Sequence, residues 1–161
     1  MLIQIARILN TAQMTMVKTL RANLALASRF ENIEVAERAL LDLCRRAGWP
    51  TDEDYWLVTA LREAVANAVR HGNRQDPKKL VRLEYTVHDA TVTIVIEDEG
   101  EGFDPGDVPD PTSPENLLRP SGRGIFYMRQ FMSRIEFSRT ANGGTAVLME
   151  KKLDSTDDDP Q

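Results

Sequence analysis

Several features that mark other classes of protein are scarce or absent in this chain of 161 residues. Its single cysteine, Cys44, excludes an internal disulfide and a zinc site made of several cysteines. No apolar run approaches the roughly 18 residues of a membrane-spanning helix, and the first residues lack the pattern of a signal peptide. We therefore expect a cytoplasmic protein that has no membrane partner.

Positive charge is also scarce, because 20 lysines and arginines stand against 25 aspartates and glutamates, for a net charge of −5. Broad nucleic-acid binding requires a basic surface that releases phosphate counterions. The charge balance therefore argues against direct binding of nucleic acid. The local basic residues are more typical of a solvated helix end and loop; they are Arg70, Arg74, Lys78 and Lys79.

The length suits one domain with short tails, and a composition of 42% hydrophobic and 28% charged residues is that of a globular protein. We predict an N-terminal extension over residues 1–18, a domain over 19–153 and an acidic, disordered tail over 154–161. In the extension, the apolar residues fit a helix as well as a strand, so its conformation stays open.

The first half of the domain is predicted to contain one strand and two helices. An extended segment near residues 20–27 precedes a helix over 31–47, which ends at Gly48. A second helix is predicted over 52–71, with Gly72 as its C-terminal stop.

The second half is predicted to contain four strands and one helix. Strands near 81–87 and 91–97 form a hairpin. Residues 99–122 hold five of the eight prolines and predict a long loop of the kind that is usually functional. A helix over 124–132 precedes two closing strands, the second over 145–152. These elements predict an α+β two-layer sandwich, with a mostly antiparallel sheet and helices on one face.

One face of the second helix combines four polar side chains. Glu63, Asn67, Arg70 and His71 follow spacings that an α-helix of ~3.6 residues per turn places on one stripe. A solvated helix face has the same pattern, so the stripe alone does not indicate a site.

Asp98 follows a predicted strand and, counted by two from Val92, falls on its buried face. A carboxylate there needs a partner, and it can accept a hydrogen bond from an exocyclic amine such as that of adenine. Gly100 and Gly102 allow the backbone to turn tightly beside a flat ligand, whereas a surface turn also often contains aspartate and glycine. Phe103 ends this segment.

Gly122, Arg123 and Gly124 come immediately before the predicted helix over 124–132. Free N–H groups at a helix start, the helix dipole and an arginine can together bind a phosphate. An ordinary loop explains the two glycines equally well. The segment Gly143–Thr145 alone would predict a hairpin turn.

These four features, in this order, resemble the nucleotide-binding boxes of the GHKL (Bergerat-fold) ATPase and kinase superfamily. Residues 63–72 look like its asparagine box, 98–103 like its first glycine box, 121–124 like its second, and 144–145 like its closing threonine. The small domain and the run over 119–125 are most similar to the anti-sigma-factor serine kinases. Ser121 departs from the second box, which usually opens with glycine.

The resemblance implies binding of ATP and Mg²⁺. Asn67 would ligate the metal, and Asp98 would bind the adenine amine with support from Thr145. Glu63 would act as the general base in phosphoryl transfer. The other implied nucleotide contacts are Arg70, His71, Gly100, Gly102, Phe103, Gly122, Arg123 and Gly124.

The resemblance also implies partners. An anti-sigma-factor antagonist would be phosphorylated on a serine, a sigma factor would compete for the same chain, and a homodimer is favoured. An alternative stays open, namely a catalytically silent ATP-binding module that docks partners in a nucleotide-dependent way.

Overall fold

The computed structural model describes residues 19–50, 54–102 and 128–153. The predicted extension, the acidic tail, most of the proline-rich loop and the start of the helix predicted over 124–132 lie outside these ranges. Within the described ranges, no helix has both the length and the apolar character needed to cross a bilayer.

In the described part of the chain, five strands form one antiparallel sheet in the order β1-β2-β3-β5-β4. The last of the described strands therefore pairs inside the sheet, between β3 and β4. The predicted antiparallel α+β architecture is confirmed. The strands are β1 (Leu20–Ala27), β2 (Leu80–His88), β3 (Thr91–Glu97), β4 (Arg134–Arg139) and β5 (Thr145–Lys152).

Two α-helices connect β1 to β2, namely α1 (Ile33–Ala47) and α2 (Asp54–Asn67). A short 3₁₀ turn over Phe30–Asn32 leads into α1. As predicted, α1 stops at Gly48, which has a left-handed φ of 79°. Glycine adopts this conformation without the steric cost that a side chain imposes.

The end of the second helix differs from the prediction. The α-helix ends at Asn67 and continues as a π-helical turn over Ala68–Gly72. Gly72 is not a left-handed stop, because the positive φ angles fall later, at Arg74 (54°) and Gln75 (59°). Such π-helical turns often occur at functional sites.

One face of the sheet packs against α1 and α2. Tyr85 in β2 is fully buried, and its hydroxyl donates a hydrogen bond of 2.9 Å to the carbonyl of Ala36 in α1. Burial raises the pKa of Tyr85, so the hydroxyl stays protonated and keeps donating. The opposite face is exposed or half-buried and carries charged residues such as Arg82 and Glu84. We call it the wet face.

The described end of the helix predicted over 124–132 is helical at residues 128–131. Met128 and Met132, four residues apart, are both buried. Phe131 stacks on Trp56 of α2, with 3.4 Å between ring centroids. The chain thus returns to the helical layer before β4 begins.

Candidate functional site

Asp98 directly follows β3, the middle strand of the sheet, and is only 8% exposed on the helix-facing side. Its Oδ1 accepts hydrogen bonds from the N–H groups of Gly100 (2.9 Å) and Thr145 (3.0 Å). Its own N–H donates to the Thr145 carbonyl (3.0 Å). Backbone groups of two segments therefore fix the carboxylate, and its predicted position on the buried face is confirmed.

Three glycines pack against Asp98 or against one another. A Cβ at Gly72 would overlap the Asp98 carboxylate, and a Cβ at Gly144 would overlap the Asp98 carbonyl. A Cβ at Gly100 would overlap the Gly72 carbonyl. Contacts within the protein therefore require glycine at these positions, in addition to the predicted approach of a flat ligand.

The second carboxylate oxygen of Asp98, Oδ2, lies against Gly72 and has no hydrogen-bond donor among the described residues. Oδ2 keeps some accessible surface, although Asp98 as a whole is only 8% exposed. Oδ2 is therefore available to a ligand that brings an N–H donor.

Glu63 and Asn67 lie one turn apart on α2, and both are half-buried. In the part of the chain that the structure describes, neither side chain has a hydrogen-bond partner. A spacing of four residues places both on one helix face, which presents a carboxylate and an amide oxygen together. This pair can accept a proton and contact a hard cation.

The predicted stripe of four polar residues has a different backbone at its C-terminal end. Arg70 and His71 fall in the π-helical turn, so the α-helical spacing that linked them to Glu63 and Asn67 does not apply. Both are exposed, and the guanidinium carbon of Arg70 lies 5.5 Å from the ring centroid of Phe30. This cation–π contact holds Arg70 beside the start of α1. Nucleotide contacts by Arg70 and His71 stay predictions.

Sequence reasoning missed Asn73, which is fully buried beside Asp98. Its Nδ2 donates to the Leu80 carbonyl (2.9 Å), and its Oδ1 accepts from the Glu99 N–H (2.7 Å). The Leu80 N–H donates to Glu99 Oε2 (2.9 Å). These three bonds form a closed ring, which we call the Asn73 triangle. It joins the end of the π-helical turn, the start of β2 and the segment after β3.

Glu99 extends the Asn73 triangle to the wet face. Its Oε1 accepts a bond of 2.6 Å from Arg82. This bond, followed by the one from the Leu80 N–H, lowers the pKa of Glu99. The carboxylate that closes the triangle is therefore held in its charged form.

The segment after Asp98 is also tied to the hairpin between β4 and β5. Arg139 donates to the Glu101 carbonyl (3.0 Å), and Arg74 pairs with the Glu101 carboxylate (2.8 Å). Gly102 has a left-handed φ of 75°, and a Cβ there would lie 2.8 Å from the Gly143 carbonyl. The glycine-rich segment that follows Asp98 is thus held by Arg74 on one side and by Arg139 on the other.

The described residues contain no group of three or more histidine, cysteine, aspartate or glutamate side chains that could hold a metal alone. Mg²⁺ in nucleotide sites is usually held by one or two protein oxygens together with phosphates and water. The free amide oxygen of Asn67 fits this kind of binding. Phe103, Gly122, Arg123 and Gly124 lie outside the described residues, so their roles stay predictions.

Comparison with known proteins adds to this geometry. A family model described as "Histidine kinase-like ATPase domain" matches residues 26–151. Curated relatives include three proteins named anti-sigma F factor. The protein of Clostridium perfringens is 36% identical over 110 residues, which cover 66% of this chain and 78% of that protein.

The other two relatives match over more of this chain. The protein of Oceanobacillus iheyensis is 34% identical over 134 residues, which cover 81% of this chain and 91% of that protein. The protein of Geobacillus stearothermophilus is 32% identical over 133 residues, which cover 80% of this chain and 90% of that protein. All three matches extend over more than two thirds of the relative.

A solved structure has the same fold. The crystal structure of the RsbU and RsbW domains of a Mycobacterium tuberculosis protein superimposes with a TM-score of 0.60 at 18% identity. The match covers 83% of this chain and 32% of that larger chain. At this identity the likeness concerns the fold alone.

Proposed function

This chain belongs to the histidine kinase-like ATPase family of the GHKL superfamily, and we propose that it is an ATP-dependent serine kinase of the anti-sigma-factor type. Its substrate would be an anti-sigma-factor antagonist, and a sigma factor would be the competing partner. The names of its relatives support this proposal. A cytoplasmic location and a homodimer belong to the same proposal.

The observation that carries the proposal is the hydrogen bonding of the two Asp98 carboxylate oxygens. Backbone N–H groups occupy Oδ1, and Oδ2, which lies beside Gly72, has no donor among the described residues. The exocyclic amine of adenine is a donor of the right kind, whereas guanine presents a carbonyl at the same ring position. Asp98 would therefore select adenine nucleotides.

The phosphates would lie towards α2. Asn67 would offer its amide oxygen to Mg²⁺, which neutralises phosphate charge when it is bound. Gly122, Arg123 and Gly124 would hold phosphate oxygens through N–H groups and a guanidinium. Thr145 would support the base through its place beside Asp98.

Glu63 would take the proton from the substrate serine. As the seryl oxygen attacks the terminal phosphorus of ATP, its proton passes to the Glu63 carboxylate, the phosphorus–oxygen bond to ADP breaks, and phosphoserine forms. Glu63 is half-buried, and none of the described residues bonds to its carboxylate. It is therefore free to accept that proton.

The test uses the purified full chain in two steps. Titration calorimetry with Mg-ADP and Mg-GDP measures nucleotide binding and base preference. The chain loaded with Mg-ADP then captures partners from a lysate of its source, Mg-ATP is added, and mass spectrometry is used to find new phosphoserine.

Adenine-selective binding followed by phosphoserine on a captured protein supports the kinase. Binding of ADP and of a partner without any transfer would favour the nucleotide-gated docking module instead. A chain that binds no adenine nucleotide would overturn the proposal as a whole.

A further inference from the structure

We propose that Asn73 is a positioning residue for adenine recognition, because it holds Asp98 at a set distance from the helix that carries Asn67. The inference rests on the proposed function and assigns a role to a residue outside the predicted nucleotide contacts. Asn73 would touch neither base nor phosphate. It would act through the segment that begins at Asp98.

The geometry of the Asn73 triangle supports this role. Asn73 donates to Leu80 and accepts from Glu99, the residue that directly follows Asp98. The Leu80 N–H closes the ring on the Glu99 carboxylate. A displacement of Glu99 would therefore move the Asp98 backbone with it, and the direction of Oδ2 would change.

The chemistry of the site explains why asparagine fits there. The side chain is fully buried, with its amide nitrogen and its amide oxygen both in use. Aspartate would place a carboxylate oxygen against the Leu80 carbonyl, and alanine would leave that carbonyl and the Glu99 N–H without their partner. A neutral side chain with one donor and one acceptor at this length satisfies both segments.

Asn73 is also tied to the helix that would bind the phosphates. Its N–H donates to the Ala68 carbonyl (2.7 Å), one residue beyond Asn67, through the π-helical turn. Gly72, its neighbour, lies against the Asp98 carboxylate. Asn73 therefore connects the proposed phosphate end of the site to the proposed base end.

A loss of positioning should affect base discrimination more than phosphate binding. In Asn73→Ala, the preference for ADP over GDP should fall by at least ~10-fold, the scale expected when a hydrogen bond to a charged group is misaligned. Affinity for Mg-pyrophosphate, which has no base, should change less than ~3-fold. A merely structural role would leave the preference for ADP unchanged in the folded fraction.

The experiment measures the dissociation constants of Mg-ADP, Mg-GDP and Mg-pyrophosphate by calorimetry for the full chain and its variants. Val87→Ala is the control matched for stability, because Val87 is buried in β2 at the end far from the Asn73 triangle. Both variants are measured at a temperature at which circular dichroism shows them fully folded.

A second pair of variants tests the positioning role if Asn73→Ala does not fold. Glu99→Ala removes the partly exposed corner of the Asn73 triangle, and Glu84→Ala removes an equal charge from an exposed position on the wet face of β2. Glu99→Ala should lower the ADP/GDP ratio, and Glu84→Ala should not.

The outcomes separate the two proposals. If the unmodified chain selects ADP and the variants of the Asn73 triangle keep its ADP/GDP ratio, the positioning role is wrong while the proposed function stands. An equal loss of affinity for Mg-ADP, Mg-GDP and Mg-pyrophosphate would also overturn the positioning role. If the unmodified chain does not distinguish ADP from GDP, the adenine role of Asp98 fails, and the role of Asn73 fails with it.

Discussion

Gly72 lies so close to the carboxylate of Asp98 that a single methyl group on Gly72 would overlap it. The two residues come from different layers of the fold, one from the turn after α2 and the other from the end of β3. Their contact brings the helix that carries Glu63 and Asn67 against the end of the central strand. The proposed nucleotide site depends on this contact.

We expect Gly72→Ala to abolish or strongly weaken ADP binding, by at least ~30-fold, because the methyl group would displace a carboxylate held by two N–H groups. Calorimetric titration with Mg-ADP measures the loss. Gly48→Ala is the matched control, since Gly48 has a left-handed φ and open space around it, far from Asp98. It should cost about 1 kcal/mol of stability and leave ADP affinity unchanged. Equal ADP binding by both variants would contradict the prediction.

Asp98→Asn should keep the fold but lose its affinity for the adenine base. An asparagine oxygen can still accept from Gly100 and Thr145, but its NH₂ replaces the acceptor Oδ2. Affinity for ADP should fall by about 10- to 100-fold, the equivalent of one hydrogen bond to a charged group, while the melting temperature changes little. If Asp98→Asn bound ADP as tightly as the unmodified chain, another residue would have to recognise the adenine base.

Whether a site residue could be predicted from the sequence depends on whether a regular local pattern fixes its position. Asp98 was predictable, because strict alternation along β3 fixes the side on which its side chain falls. Asn73 was not, because a buried asparagine in a turn looks like any polar loop residue until its two partners are known. The π-helical backbone at Arg70 and His71 was not predictable, because nothing in the local sequence marks the end of the 3.6-residue period at Asn67. Gly72 was predicted as a helix stop and as the end of the asparagine box, but its close contact with Asp98 was not predicted.

Glu63→Gln should separate nucleotide binding from phosphoryl transfer. Glutamine has nearly the same shape but cannot take a proton, so ADP affinity should stay within about 2-fold while transfer to serine slows by at least ~10²-fold. Single-turnover phosphorylation of the captured partner measures the rate. Glu84→Gln on the wet face removes the same charge from an exposed position and should leave the rate unchanged. Normal transfer by Glu63→Gln would exclude Glu63 as the base.

The stability of the chain should fall in acid partly through Glu99. Because Arg82 and Leu80 lower the pKa of Glu99 in the folded state, its stabilising contribution is fully present above the ordinary value of 4.5. It is lost as the pH falls through the lower, folded-state pKa. Urea unfolding at a series of pH values from 7 to about 3 should therefore show a shallower acid decline for Glu99→Gln than for the unmodified chain. Glu84→Gln serves as the control, and an equal decline in Glu99→Gln and the unmodified chain would contradict the argument.

Tyr85→Phe should destabilise the fold by about 1 kcal/mol, since it deletes one buried hydrogen bond between the sheet and α1 without changing the packed ring. Chemical denaturation measures the change. Tyr55→Phe removes a hydroxyl from a side chain that is 67% exposed and should have almost no effect. ADP affinity should be the same in both variants.

The position of β5 has a consequence for synthesis. Because β5 pairs between β3 and β4, the N–H of Thr145 that fixes Asp98 is contributed by a strand that is synthesised after both of them. A nascent chain that has released α2, β2 and β3 from the ribosome still lacks this N–H, the Thr145 carbonyl and Gly144. The proposed nucleotide site is therefore completed only when Thr145 and the hairpin it closes have emerged, so a growing chain would not bind a nucleotide there before that point.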